Sequence, residues 1–187
     1  MAIYYFIRHG EADFSEANTK IYQGHGCHMI TLSEAGKKQI KAASRDPRLR
    51  EAEIIITSPY GRALHSAAIL SKELGLDICV ETDLHEWMAD GVNYSYLTQK
   101  EAEICRQELT KNHGNHPCEK APAWESAAQM KERVFAVLEK YKNRHCAIVC
   151  CHGILMQYVL EIPHPSNGKI EKYEFCSNGK CFVSPGG

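Results

Sequence analysis

Arg8-His9-Gly10, Arg62 behind Ser58-Pro59, and His152-Gly153 each follow a short, continuous apolar run, the pattern of a strand end. In parallel α/β sheets ligands bind beyond the carboxyl ends of the strands. Parallel pairing of these runs would therefore bring two arginines and two histidines together. Two guanidinium forks, two imidazoles and the free N–H groups of a helix start make a site for a tetrahedral dianion, and a phosphoryl group is the anion that fits. Gly10 and Gly153 would let the backbone come close to it. A neutral imidazole is also a nucleophile, and neighbouring guanidinium charges favour the neutral ring. Attack on phosphorus would leave an oxygen in need of a proton. Glu86, in Asp83-Leu84-His85-Glu86-Trp87, is the best placed carboxyl group, with Trp87 able to exclude water and raise its pKa. Asp83, Asp90 and Glu11 are its rivals.

The elements that must carry these residues are legible in outline. Ile3 to Ile7 and Ala147 to Cys151 read as strands buried on both faces, with Glu53 to Thr57 as another and Ile78 to Val80 as a short one. Ser33 to about Arg45 reads as a capped helix. Ser58 is expected as the N-cap, and Pro59 as the first residue, of a second helix that stops at Gly75. Thr98 to Leu109, Glu125 to Tyr141 and the residues after Gly153 read as further helices. The tail, Lys172 to Cys176, Ser177-Asn178-Gly179-Lys180 and Cys181 to Val183, has the pattern of a hairpin. Alternating strands and helices predict an α/β fold, a three-layer α/β/α sandwich on a mostly parallel sheet. The 187 residues fit a single domain, with 88–124 as an insertion overhanging the site.

Five motifs in this order resemble the histidine phosphatase superfamily, in its phosphoglycerate-mutase-like branch (branch 1). They are Arg8-His9-Gly10-Glu11; Gln23-Gly24 with Leu32-Ser33-Glu34-Ala35-Gly36; Ser58 to Ala63 with Ser66-Ala67; Leu84-His85-Glu86; and His152-Gly153. The resemblance implies His9 as the phosphorylated nucleophile and Arg8, Arg62 and His152 as the phosphate pocket. It also implies Glu86 as proton donor and Gln23, beside Gly24, as a phosphate contact. The expected reaction is metal-independent hydrolysis of phosphomonoesters; the alternatives are mutase-type phosphoryl transfer and dephosphorylation of a phosphoprotein or phosphohistidine. Mutases of the family usually carry Ser-x-Trp-Asn after the signature glutamate, where this chain has Ala12-Asp13-Phe14-Ser15. Segment 86–124 also holds six acidic residues against four basic ones, a poor clamp for a doubly phosphorylated intermediate.

The remaining composition narrows the setting. With 44% hydrophobic and 24% charged residues and a net charge of -1, the chain has the balance of a soluble globular protein, with no pull on nucleic acid or membrane. Nine cysteines, an odd number that includes adjacent Cys150-Cys151, point to reduced core thiols and the cytoplasm. No targeting segment or membrane span is expected. A phosphorylated small molecule is the expected partner; oligomeric state is left open. No cofactor is expected, since arginines can neutralise the phosphoryl charge. His113, His116 and Cys118, with Cys105 or His28, could be read as zinc ligands, but a polar, exposed loop is the preferred reading. His65 is read as a helix-surface or packing residue.

Overall fold

The computed structural model describes residues 1–117 and 121–176. Its central sheet runs in the order β3-β2-β4-β1-β5. The strands are β1 (Ala2–Arg8), β2 (Ile55–Thr57), β3 (Ile78–Val80), β4 (Cys146–Cys151) and β5 (Ile170–Phe175). All pairings are parallel except that of β5, which runs antiparallel to β1. The helices are α1 (Glu34–Ala43), α2 (Gly61–Leu74), α3 (Gln99–Lys111), α4 (Ala127–Lys140) and α5 (Gly153–Val159).

Alternation along the strands makes the layers. Successive side chains point to opposite faces of a sheet, so Tyr4 and Phe6 of β1 and Ala147 and Val149 of β4 enter one core, where Met130, Val134, Leu155 and Met156 of α4 and α5 meet them. Tyr5 and Ile7 with Ile148 and Cys150 enter the other, against Ile40 of α1 and Ala67 and Leu70 of α2. Each fully buried aliphatic side chain of this kind contributes about 1.5–3 kcal/mol. The expected α/β/α sandwich is therefore present, and its apolar runs are continuous because both faces are covered.

Helix ends follow their local chemistry. Ser33 Oγ accepts from Gly36 N at 3.0 Å, Thr98 and Ser126 form capping boxes with Glu101 and Gln129, and Gly75 ends α2 in the left-handed conformation (φ 70°). One start differs from the expectation. The N-cap of α2 is Tyr60, not Ser58, and the helix begins at Gly61 instead of Pro59; the Ser58 hydroxyl accepts from Tyr60 N and also pairs with His152, at the end of β4. The expected tail strand is β5, which begins at Ile170 and pairs with β1. The Asn178-Gly179 turn and the second arm of the hairpin lie outside the described residues.

Segment 88–124 carries the helix expected over Thr98 to Leu109. It contains α3, and its Leu109 and Trp124 are buried, the indole donating to Glu108 Oε2 at 3.0 Å. Tyr96 meets the His25 ring edge-on at 5.8 Å, so the segment reaches the loop that follows β1.

Candidate active site

Strand register assembles the site. Arg8 lies opposite Cys151 and Thr57 opposite Cys150, so β1, β2 and β4 end at one level and release His9, Ser58 and His152 together. His9 N and Ser58 N donate to Cys151 O and Cys150 O at 3.0 Å, extending the ladder by one residue. Gly10 N donates to Ser66 Oγ at 3.2 Å and Ser66 Oγ to Arg62 O at 2.8 Å, which ties the end of β1 to the first turns of α2. Asn167 Nδ2 donates to His9 O at 2.9 Å from the other side. A Cβ on Gly10 would stand 2.4 Å from Gly36 O, so only glycine admits this backbone approach.

The protons on His9 follow from its partners. Arg62 Nε, which can only donate, lies 3.1 Å from His9 Nε2, and Gly10 O, which can only accept, lies 2.7 Å from Nδ1. Nδ1 therefore carries the proton and Nε2 keeps a lone pair. Burial first, and then the Arg62 charge, push the His9 pKa down to about 3, against a smaller opposing effect of the Gly10 carbonyl. His152 is fully buried and meets the His9 ring edge to face at 5.2 Å. Burial, followed by the charge of Arg62, holds it well below the usual imidazole range.

Arg8, His9, Arg62, Glu86 and Asn167 line a cleft of about 400 Å³ together with Glu11, Ala12, Phe14, Cys27 and His28. Arg8 Nη1 donates to Pro165 O, whereas its Nε is shielded from solvent and has no partner, as is His152 Nδ1. Buried donors of this kind are costly unless a ligand completes them. Glu86 Oε1 accepts from Trp87 N at 2.9 Å and Leu155 N at 3.0 Å, and Oε2 from Ile154 N at 3.2 Å. The carboxyl group thus rests on the N-terminal turn of α5, as a negative group should. A Cβ on Gly153 would lie 3.0 Å from Arg8 Nε and 2.5 Å from His164 Cε1, so this glycine makes room beside Arg8.

The five residues expected to do the chemistry are thus brought together. Gln23 is not: it is exposed, and its amide donates to Asn18 O at 3.1 Å, while Gly24 opens the 3-10 turn Gly24–Met29. From that turn Cys27 and His28 reach the cleft instead, and His28 stacks on Tyr60 with centroids 4.0 Å apart. Burial and then Arg62 take the His28 pKa down to about 4. The rival carboxylates are placed differently. Asp90 caps a turn by accepting from Val92 N, Asn93 N and Ser95 N; Asp83 is exposed; Glu11 accepts from Ser33 Oγ at 2.6 Å and lines the cleft. Asn167, Tyr60 and the partnership of Ser58 with His152 escaped the sequence reading. Their only local signals are an Asn-Gly turn and a Ser-Pro pair, neither of which names a partner far along the chain.

Two other places contrast with this cleft. A groove of about 430 Å³ between Arg45, Leu49, Arg50, Glu73 and Leu74 brings arginines together without an imidazole. His116 pairs with Trp124 O at 2.8 Å and packs edge-on against its ring, apart from His28 on Tyr60. Among the described residues no three His, Cys, Asp or Glu side chains are grouped to hold a metal ion, and no helix is long and apolar enough to cross a membrane.

Comparison with known proteins gives relatives in sequence and in fold. A probable phosphoglycerate mutase, GpmB, of Photorhabdus laumondii is 27% identical over 158 residues, 81% of this chain and 70% of that protein. A putative phosphoserine phosphatase 2 of Hydrogenobacter thermophilus is 26% identical over 154 residues, 80% of this chain and 72% of that one. Among solved structures, YhfR of Bacillus stearothermophilus shares the fold at a TM-score of 0.70 and 20% identity, covering 98% of this chain and 96% of its own. Mycobacterial glucosyl-3-phosphoglycerate phosphatase does so at 0.66 and 20%, covering 93% and 90%. Residues 4–176, which contain every residue of the cleft, match the profile of the histidine phosphatase superfamily (branch 1), and the chain belongs to that family of enzymes.

Proposed function

We propose that the chain is a metal-independent phosphomonoesterase that works through a phosphohistidine on His9. The observation that carries this reading is the lone pair on His9 Nε2, held neutral and directed at Arg62. Nε2 attacks phosphorus, the N–P bond forms, and the bond from phosphorus to the leaving oxygen breaks. Arg8, Arg62 and the unpartnered Nδ1 of His152 meet the charge on the phosphoryl oxygens. Glu86 gives the leaving oxygen a proton. Its Oε2 accepts only one backbone donor, at 3.2 Å, and so has room to carry that proton. In the second step water attacks phosphorus, Glu86 takes up a proton, and inorganic phosphate and free His9 are regenerated.

Hydrolysis is favoured over mutase transfer by the cleft wall. Its cations are Arg8 and Arg62, both beside His9, while the rest of its lining includes the Glu11 carboxylate, the Phe14 ring and the neutral His28 imidazole. A phosphorylated sugar acid that must be held while it turns around needs positive charge there. The reading takes the whole chain as one domain, with 88–124 overhanging the cleft through Tyr96 on His25. Cys27, Cys79, Cys105, Cys146, Cys150 and Cys151 are free thiols, which suits a cytoplasmic enzyme acting on small molecules. The test is a panel of phosphomonoesters assayed with a strong chelator present. Inorganic phosphate should be released from aryl and alkyl esters alike. Isomerised sugar acid as the main product, or activity that needs added metal, would overturn the reading.

A further inference from the structure

Glu86 lies in irregular chain between the 3-10 turn Thr82–Leu84 and α3, with no ladder to hold it. Its carboxyl group rests on the N–H groups of Trp87, Ile154 and Leu155, and the chain on either side of it is fastened by side chains, with one residue of α4 at the centre. Arg133 Nη1 donates to Asp83 O and to His85 O, the latter at 2.9 Å. The same guanidinium is a bidentate partner of Glu125, Nε to Oε1 at 2.5 Å and Nη2 to Oε2 at 2.9 Å. The Glu125 backbone then holds the far side, accepting from Trp87 Nε1 at 2.8 Å and donating to Met88 O at 2.9 Å. Both flanks of Glu86 are thus fastened to one ion pair whose side chains are only 12% and 8% exposed. A planar fork with fixed donors locks direction as well as distance, which an ammonium cannot do. Met130 and Val134, next to Arg133 on α4, are fully buried in the core, so the clamp stands on a rigid base.

We propose that Arg133 is the positioning residue for Glu86, setting its carboxyl group for proton transfer to the leaving oxygen; this rests on the reading of Glu86 as proton donor. A carboxyl group displaced by about 1 Å loses on the order of a hundredfold in transfer. That loss appears only where the leaving oxygen needs a proton. An ion pair that merely held the fold together would lower turnover of every substrate alike.

The experiment compares kcat/KM for nitrophenyl phosphate and for an alkyl phosphate in wild type, Glu86→Gln, Arg133→Met, Arg133→Lys and the double variant Glu86→Gln/Arg133→Met. Arg133→Met should lose about ten- to a hundredfold on the alkyl ester and less than about threefold on the aryl ester. Arg133→Lys, which keeps a cation beside buried Glu125, should fold even where Arg133→Met does not, and should also lose alkyl activity selectively. The double variant should show no more selectivity loss than Glu86→Gln alone. Equal losses on both esters in the Arg133 variants, with selective loss in Glu86→Gln, would overturn the role of Arg133 alone. An unchanged ratio in Glu86→Gln would remove the proton donor, and the role of Arg133 with it.

Discussion

Ser58 Oγ lies 2.7 Å from His152 Nε2, across 94 residues of sequence. The hydroxyl accepts from Tyr60 N at 3.3 Å, so its own proton is free for Nε2. With that proton given to Nε2, the ring proton of His152 is on Nδ1, the nitrogen that is buried without a partner. A neutral imidazole fixed in this tautomer offers a donor to a phosphoryl oxygen. Ser58→Ala frees the tautomer and should weaken inhibition by vanadate about tenfold, the worth of one hydrogen bond to a charged group. Unchanged vanadate affinity would place the phosphoryl group away from His152.

The imidazoles also set a pH dependence. His9 is held at about 3 and His28 at about 4, by burial first and then by Arg62, whereas in the unfolded chain each returns to about 6.5. Between those values the unfolded chain binds more protons, so stability rises with pH. The contribution is complete above about pH 6.5 and is lost as the pH falls toward the folded values. His9→Gln should therefore remove about 1 kcal/mol per pH unit from the slope of unfolding free energy between about pH 4.5 and 6. Denaturant titrations across that range give the slope directly. An unchanged slope would mean that native His9 is already protonated there.

Gly10→Ala tests the close approach that places His9. The added methyl would meet Gly36 O at 2.4 Å, and both groups are backbone, so the end of β1 or the start of α1 must shift. A loss of about 1–3 kcal/mol is expected, or roughly 2–12 °C in Tm for a domain of this size, together with lower turnover. Wild-type stability in Gly10→Ala would show that the two segments are not packed against each other.

The strands that carry the chemistry were readable because β1 and β4 are buried on both faces and so appear as unbroken apolar runs that end abruptly at Arg8 and His152. Ser58 shows where such reading stops. A Ser-Pro pair before a helical pattern has the chemistry of an N-cap, and nothing local says that the hydroxyl also meets His152. The placement of Gln23 is a related case: two short 3-10 turns flank it and its amide donates to Asn18 O, a matter of turn geometry that residue types do not encode. Asn167 reaches His9 across 158 residues, and the Arg133–Glu125 clamp joins α4 to the chain around Glu86. Contacts of that range depend on how the layers stack, which periodicity does not specify.

The central claim is transfer of a phosphoryl group to His9, and rapid quench with labelled phosphomonoester tests it most directly. Attack by Nε2 makes a phosphoramidate, which survives alkali and hydrolyses in acid because protonation of nitrogen makes it a good leaving group. Wild type should carry label with that stability in the first turnover, and the label should be lost to water as inorganic phosphate. His9→Ala should carry none. Turnover without any trapped label, or a full level of label in His9→Ala, would contradict the account.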